Sequence, residues 1–200
     1  LYLDRIQRGN YYLCTKTDFM LTDVEIEKLK NPTGKYIASA SFNADEVKHY
    51  IEEIKKLPAF LEETVKGISA ADLIYCYRPG SWNIKQIVHH IADSHANFHA
   101  RLRLTLTEET PTIKPYDENT WAKLADSNND DLEPSLLILK GVHKRAVNLL
   151  QTLTEKDYER EYFHPQYNKK FSLLWALGLY AWHGKHHTEQ IKVALQHKFK

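Results

Sequence analysis

The chain has 200 residues and a formal net charge of +1, from 27 basic and 26 acidic side chains. That length suits one compact domain, and the charge balance excludes the basic footprint of a nucleic-acid or anionic-membrane binder. Seven glycines and seven prolines exclude collagen-like and linker-like chains, while eleven histidines and a single methionine stand out.

Residues 1–19 carry Asp4, Arg5, Arg8, Lys16 and Asp18, so they lack the apolar stretch of a signal peptide. The sole methionine, Met20, reads in two ways. It is either the native start, with 1–19 an extension ahead of a single domain over 20–200, or a core side chain. Cys14 and Cys76 show neither a CxxC pair nor a metal-type spacing. Two scattered thiols suit a reducing compartment, so no disulfide is expected between them. The longest apolar stretch, 171–182, falls short of the ~20 residues that span a bilayer.

Residues 20–42 read as irregular, with a turn at Asn31-Pro32-Thr33-Gly34. The first strong helix begins after Asn43, which pairs with Glu46 as a capping box. Val47, Ile51, Ile54, Leu57, Leu61 and Val65 follow at helical spacing, with a kink or break expected at Pro58. A breaker at Arg78-Pro79-Gly80-Ser81 precedes the second helix, capped by Asn83 with Gln86 and reaching about Thr107. Residues 108–131 form a long polar connection. Its Ile113, Tyr116 and Trp121 predict a loop packed on the body, with a short helical turn. The third helix starts near Pro134, a favoured first-turn residue. Residues 161–171 suggest a small hairpin around Asn168, and Ser172 then caps the last long helix. Four long amphipathic segments without strand alternation predict an all-α four-helix bundle, its long connection acting as a crossover.

The histidines divide by position. His49, His143, His164 and His197 are single and read as surface or partly buried. His89, His90, His95 and His99 lie on the second helix, and His183, His186 and His187 on the last. Four residues apart, His183 and His187 share a helix face, and that face continues the apolar line through Ala176, Tyr180, Ile191 and Ala194. Such a pair can grip one metal ion, although the glutamate of an HExxH zincin is absent. The spacing alone also fits two hydrogen-bonded core histidines. His90 lies on the flank of the second helix's stripe, and facing helices of a bundle converge their ligands in the core. Three neutral imidazoles would leave an open coordination position, the catalytic rather than the structural pattern.

At these residues the chain resembles the DinB/YfiT-like metalloenzyme superfamily, its YfiT branch in particular. The resemblance is carried by SWNIKQIVHHIADSH at 81–95, LTEETP at 106–111, IKPYD at 113–117 and LYAWHGKHH at 179–187. It runs from about residue 30 to about 195. It implies a four-helix bundle holding one divalent ion per chain, zinc above all, with nickel as another imidazole-bound candidate. The implied ligands are His90, His183 and His187. It further implies a cytoplasmic homodimer and a hydrolase acting on a small molecule. A thiol S-transferase using bacillithiol or a similar small thiol is the alternative within the superfamily. A non-catalytic metal- or ligand-binding bundle is the alternative outside it.

Supporting groups are less defined. Gln86, Tyr116 and Asp117 are weak candidates for contact with substrate or water, beside Lys114 and Glu118 on the loop. Gln86 already has a capping role. Ser94 reads as a hydroxyl bonded to its own helix, and Glu189 as exposed. Gln190 could orient a ligand imidazole. Trp82, Trp175 and Trp182 read as core or interface aromatics.

Overall fold

The computed structural model describes residues 21–200. Met20, Cys14 and the expected extension 1–19 lie outside the described residues. In chain order the elements are α1 (Asp23–Lys30), α2 (Ala44–Val65), α3 (Ile84–Thr107), α4 (Glu118–Trp121), a 3-10 turn (Asp126–Asn128), α5 (Glu133–Leu150), α6 (Glu155–Glu159), β1 (Glu161–His164), β2 (Lys169–Ser172) and α7 (Leu173–His197). β1 and β2 form the expected hairpin, antiparallel, with Glu161 opposite Ser172. Asn168 in its turn takes a φ of 48°.

Helix starts follow local chemistry. Asn43 accepts hydrogen bonds from the amides of Asp45 and Glu46, both at 3.0 Å. Asn83 and Gln86 complete a reciprocal capping box, and the Ser172 hydroxyl accepts from the Trp175 amide. These groups satisfy N–H donors that a helix start leaves without intrahelical partners.

Two expectations are corrected. Residues 20–42 are not wholly irregular, because Thr22 and Glu25 form a capping box that starts α1. That helix buries none of its residues, so no apolar periodicity announced it. Nor, of the kink or break expected at Pro58, does the break occur, since α2 runs on to Val65. Proline removes the N–H that would serve the carbonyl four residues back. Here the Nδ1 of His143 on α5 donates to that carbonyl, at Ile54, so the helix continues with its acceptor satisfied.

The side-chain contacts fix the topology. Tyr50 approaches Gly178, and Leu57 approaches Gly184, so α2 and α7 run parallel. His89 meets Ser135 and His95 meets His143, so α3 and α5 also run parallel. The two pairs oppose one another. Arg101 bonds Tyr180 while His90 faces His183, and Lys140 pairs with Glu62 while His143 meets Ile54. The connection from α3 to α5 must therefore return the length of α3, about 36 Å at 1.5 Å per residue. It is the crossover read from the sequence, and α4 and the 3-10 turn lie within it.

The hairpin anchors the start of this crossover. Phe163 donates to the Pro111 carbonyl at 2.9 Å and accepts from the Ile113 amide at 3.0 Å. Just before β1, Arg160 donates to the carbonyls of Thr105 and Glu108 at 2.7 and 2.9 Å, serving acceptors left over at the end of α3.

Among the described residues the core has two apolar clusters. One gathers Ile51, Ile54, Phe98, Leu102, Leu150, Leu173 and Leu177. The other gathers Leu57, Leu61, Ile84, Ile87, Ile91 and Ile191. Residues 90–95 of α3 and 183–187 of α7 pass between them, so the polar layer of the bundle lies where the clusters meet. No helix among the described residues is long and apolar enough to cross a membrane.

Gly184, inside this layer, lets α7 sit close to α2. A Cβ there would lie 2.1 Å from Leu57 Cδ2 and 3.0 Å from its Cγ. Overpacking of this kind costs about 1–3 kcal/mol, against about 1 kcal/mol of helix propensity gained by replacing glycine. Gly184→Ala is therefore expected to lower stability by roughly 1 kcal/mol, measured by urea denaturation.

Candidate metal centre

α3 and α7 cross with His90 facing His183. Their Nε2 atoms stand 3.2 Å apart. His187 closes the group one turn along α7, its ring centroid 4.5 Å from that of His183 and 4.9 Å from that of His90. One ligand nitrogen from each of the three lies within 4.8 Å of the others, a group able to hold a metal ion. Two nitrogens each about 2.0–2.1 Å from a tetrahedral zinc stand about 3.3 Å apart, so the His90–His183 separation already suits a shared ion.

The imidazoles are held neutral. Burial lowers the pKa of His90 and His183 well below the usual range, and the neighbouring histidines add to it. Burial pushes His187 down to about 4, partly offset by its bond to Gln190. A metal takes the lone pair of a neutral imidazole, so these rings are ready as donors near neutral pH.

The surroundings are specific. His187 Nδ1 stands 2.8 Å from Gln190 Oε1, as expected for an orienting partner. The Gln190 amide donates to the Lys30 carbonyl at 2.9 Å and faces His186 Nε2 at 3.0 Å. His183 Nδ1 stands 3.2 Å from His95 Nε2, and His95 Nδ1 stands 2.9 Å from His143 Nε2. The Trp82 ring covers His90, with centroids 4.6 Å apart, so this tryptophan is a wall of the site.

Other sequence expectations resolve individually. His143 and His164 are not surface residues; they are 2% and 4% exposed, because α5 and β1 turn them into the core. His89 bonds Ser135 and the Asn129 carbonyl at 2.8 and 3.0 Å, pinning the end of the crossover to α3. His186 is buried, stacks on Trp182 at 4.4 Å, and reaches Thr33. Glu189 pairs with Lys192 at 2.7 Å.

Among the weak candidates, Gln86 spends both amide ends on its cap and on the Ala122 carbonyl, at 3.1 and 2.8 Å. Asp117 accepts from Asn119 and Thr120 as the cap of α4, and lies exposed. Lys114 is also exposed. Tyr116 is different. Its ring packs on Trp121 at 4.4 Å, and its phenol lies beside Ser94, one turn beyond His90. Burial raises the Tyr116 pKa, and Tyr180 nearby adds to it.

A family model of the DinB superfamily matches residues 53–191. The chain belongs to the DinB superfamily. It is 42% identical over 167 residues to a Geobacillus thermodenitrificans protein named "Putative metal-dependent hydrolase", covering 83% of this chain and 93% of that one. It is 40% identical over 163 residues to the similarly named YfiT of Bacillus subtilis, covering 82% and 92%. The solved structure of YfiT, described as a probable metal-dependent hydrolase with an unusual four-helix bundle topology, superposes with a TM-score of 0.82. That match has 38% identity and covers 86% of this chain and 99% of YfiT. Within this DinB-superfamily bundle, three supporting residues were not singled out as such from the sequence: His95, His143 and Trp82. A signal existed for His95, which follows His90 by five residues on a helix already rich in histidine. None existed for His143, whose partner Ile54 lies on another helix.

Proposed function

We propose that His90, His183 and His187 hold one divalent ion, zinc by their ligand chemistry, and that the protein is a metal-dependent hydrolase of a small-molecule substrate. The observation that carries this reading is three neutral imidazoles from two helices converging where one ion can reach them all. A structural zinc site is usually closed by four protein ligands, whereas three leave a position for water or substrate. When bound, the ion would bring the pKa of a coordinated water toward about 7 and polarise a carbonyl-type electrophile.

The chain's own residues supply the rest. Trp82 shields the His90 side from solvent. Tyr116 keeps its proton at neutral pH, so it can donate a hydrogen bond to substrate but cannot serve as a base. In this reading the working form is a homodimer, for which exposed Leu137 and Ile138 on α5 supply apolar surface.

Protein purified without a histidine tag should contain about one divalent ion per chain by elemental analysis. A preparation without metal that takes up none from a zinc buffer refutes the proposal. Because imidazole also suits nickel, copper and iron, the identity of the ion is decided by which metal supports turnover when restored to the metal-free protein, not by raw affinity. A substrate screen with and without a small thiol separates hydrolysis from thiol transfer; turnover without thiol excludes a strict transferase.

A further inference from the structure

His95 and His143 touch the candidate metal ligands only through a line of ring contacts that ends on the backbone. At the far end is the Ile54 carbonyl, which Pro58 leaves without its usual helical donor. A carbonyl oxygen only accepts, so His143 Nδ1 carries the proton at that contact. His143 and His95 are 2% and 0% exposed, and the polar partners along the line are a carbonyl and other rings rather than carboxylates, so each ring is buried without a counter-charge and holds one proton. With Nδ1 protonated, His143 Nε2 is an acceptor, and the atom it faces, His95 Nδ1 at 2.9 Å, must donate. His95 Nε2 is then an acceptor in turn, and the atom it faces, His183 Nδ1 at 3.2 Å, must donate as well. That leaves the His183 Nε2 lone pair bare, and Nε2 is the atom directed at His90.

We propose that His143 and His95 are positioning residues that lock His183 in its Nδ1–H tautomer, so that the carbonyl freed by Pro58 decides which nitrogen His183 offers to a metal. The direction of every proton along the line follows from its first acceptor. A backbone carbonyl cannot change its role, so the state of His183 does not depend on solvent or on the metal itself. His187 is set in the same sense by a shorter route. The Gln190 amide nitrogen must face the Lys30 carbonyl, which turns Oε1 toward His187 Nδ1 and leaves His187 Nε2 bare. Both α7 rings are thereby tied to the main chain of α1 or α2 across the bundle. Loss of such an outer partner typically weakens metal binding about 10- to 100-fold.

The inference rests on the proposed metal site for its purpose, but its tautomer content can be read without metal. In the metal-free wild-type protein, nitrogen-15 imidazole spectra should show His143, His95 and His183 all protonated at Nδ1 and bare at Nε2. A His183 ring protonated at Nε2 overturns the lock, and no variant has to fold for that result. The second measurement is zinc affinity by chelator competition, with folding checked by thermal melting. Folded His95→Leu should bind zinc about 10- to 100-fold more weakly, and His95→Gln, whose amide oxygen can take the place of Nε2, less than about threefold more weakly. Wild-type zinc affinity in a folded His95→Leu protein would overturn the proposed role. Absence of zinc binding in the wild type would instead remove the metal reading and leave the tautomer result standing.

Discussion

His187→Ala is expected to strip the metal and leave the bundle folded. The substitution removes one of three candidate donors and leaves His90 and His183, which cannot enclose an ion. Metal affinity should fall by more than the roughly 10- to 100-fold that loss of an orienting partner costs. Turnover should fall to the level of the metal-free protein. The cost to folding is smaller. The apolar clusters above and below His187 do not use its ring. Gln190 would lose one partner while keeping its bonds to Lys30 and His186. An unmet acceptor of this kind costs about 1–3 kcal/mol, within the roughly 5–15 kcal/mol of a typical domain. The checks are elemental analysis and a melting curve on the same sample. Retained metal would contradict the ligand assignment. Unfolding of both this variant and the chelator-treated wild type would make the ion chiefly structural.

The second large effect is acid lability of the metal-free protein. Burial lowers His143 and His187 from 6.5 to about 4 and His186 to about 3. The folded chain thus holds these rings neutral while the unfolded chain protonates them below its ordinary histidine pKa. Where the unfolded state binds more protons, stability rises with pH. The contribution is therefore fully present above about 6.5 and is lost progressively as pH falls toward about 4. Each ring can take away at most about 1.4 kcal/mol per pH unit within that window, so three together can remove about 4 kcal/mol per unit. Denaturation midpoints at pH 7, 6 and 5 should fall with increasing steepness. A flat profile over that range would mean that the histidines are not buried neutral. With metal bound, the same protonation competes with the ion, so metal release and acid unfolding should occur together.

Much of the fold was legible because its boundaries are local. Asn43, Asn83 and Ser172 cap helices through bonds to amides two or three residues away, so the sequence alone reveals them. The crossover was legible from its length and polarity. By contrast α1 escaped notice because it buries nothing, and a helix without an apolar face has no period to read. Pro58 was expected to kink or break α2 because the rule for proline considers one helix at a time, and the break is absent. The donor that repairs the break comes from α5, at a separation in sequence that no local window spans.

The candidate site divides along the same line. His183 and His187 share a face by helical periodicity alone, and His90 sits on the flank of its own stripe. The sequence by itself therefore determined four helices, the caps of three of them and the three imidazoles that could converge. Only the tertiary structure decided that they do converge, because α3 and α7 run antiparallel and bring residue 90 to residue 183. It alone decided that His143 and His95 belong with them, and that Gln86 and Asp117 are spent on caps. The physical reason is one of range. Helix periodicity and capping act within a few residues, whereas the contacts that join His90, His95, His143 and His183 run between different helices.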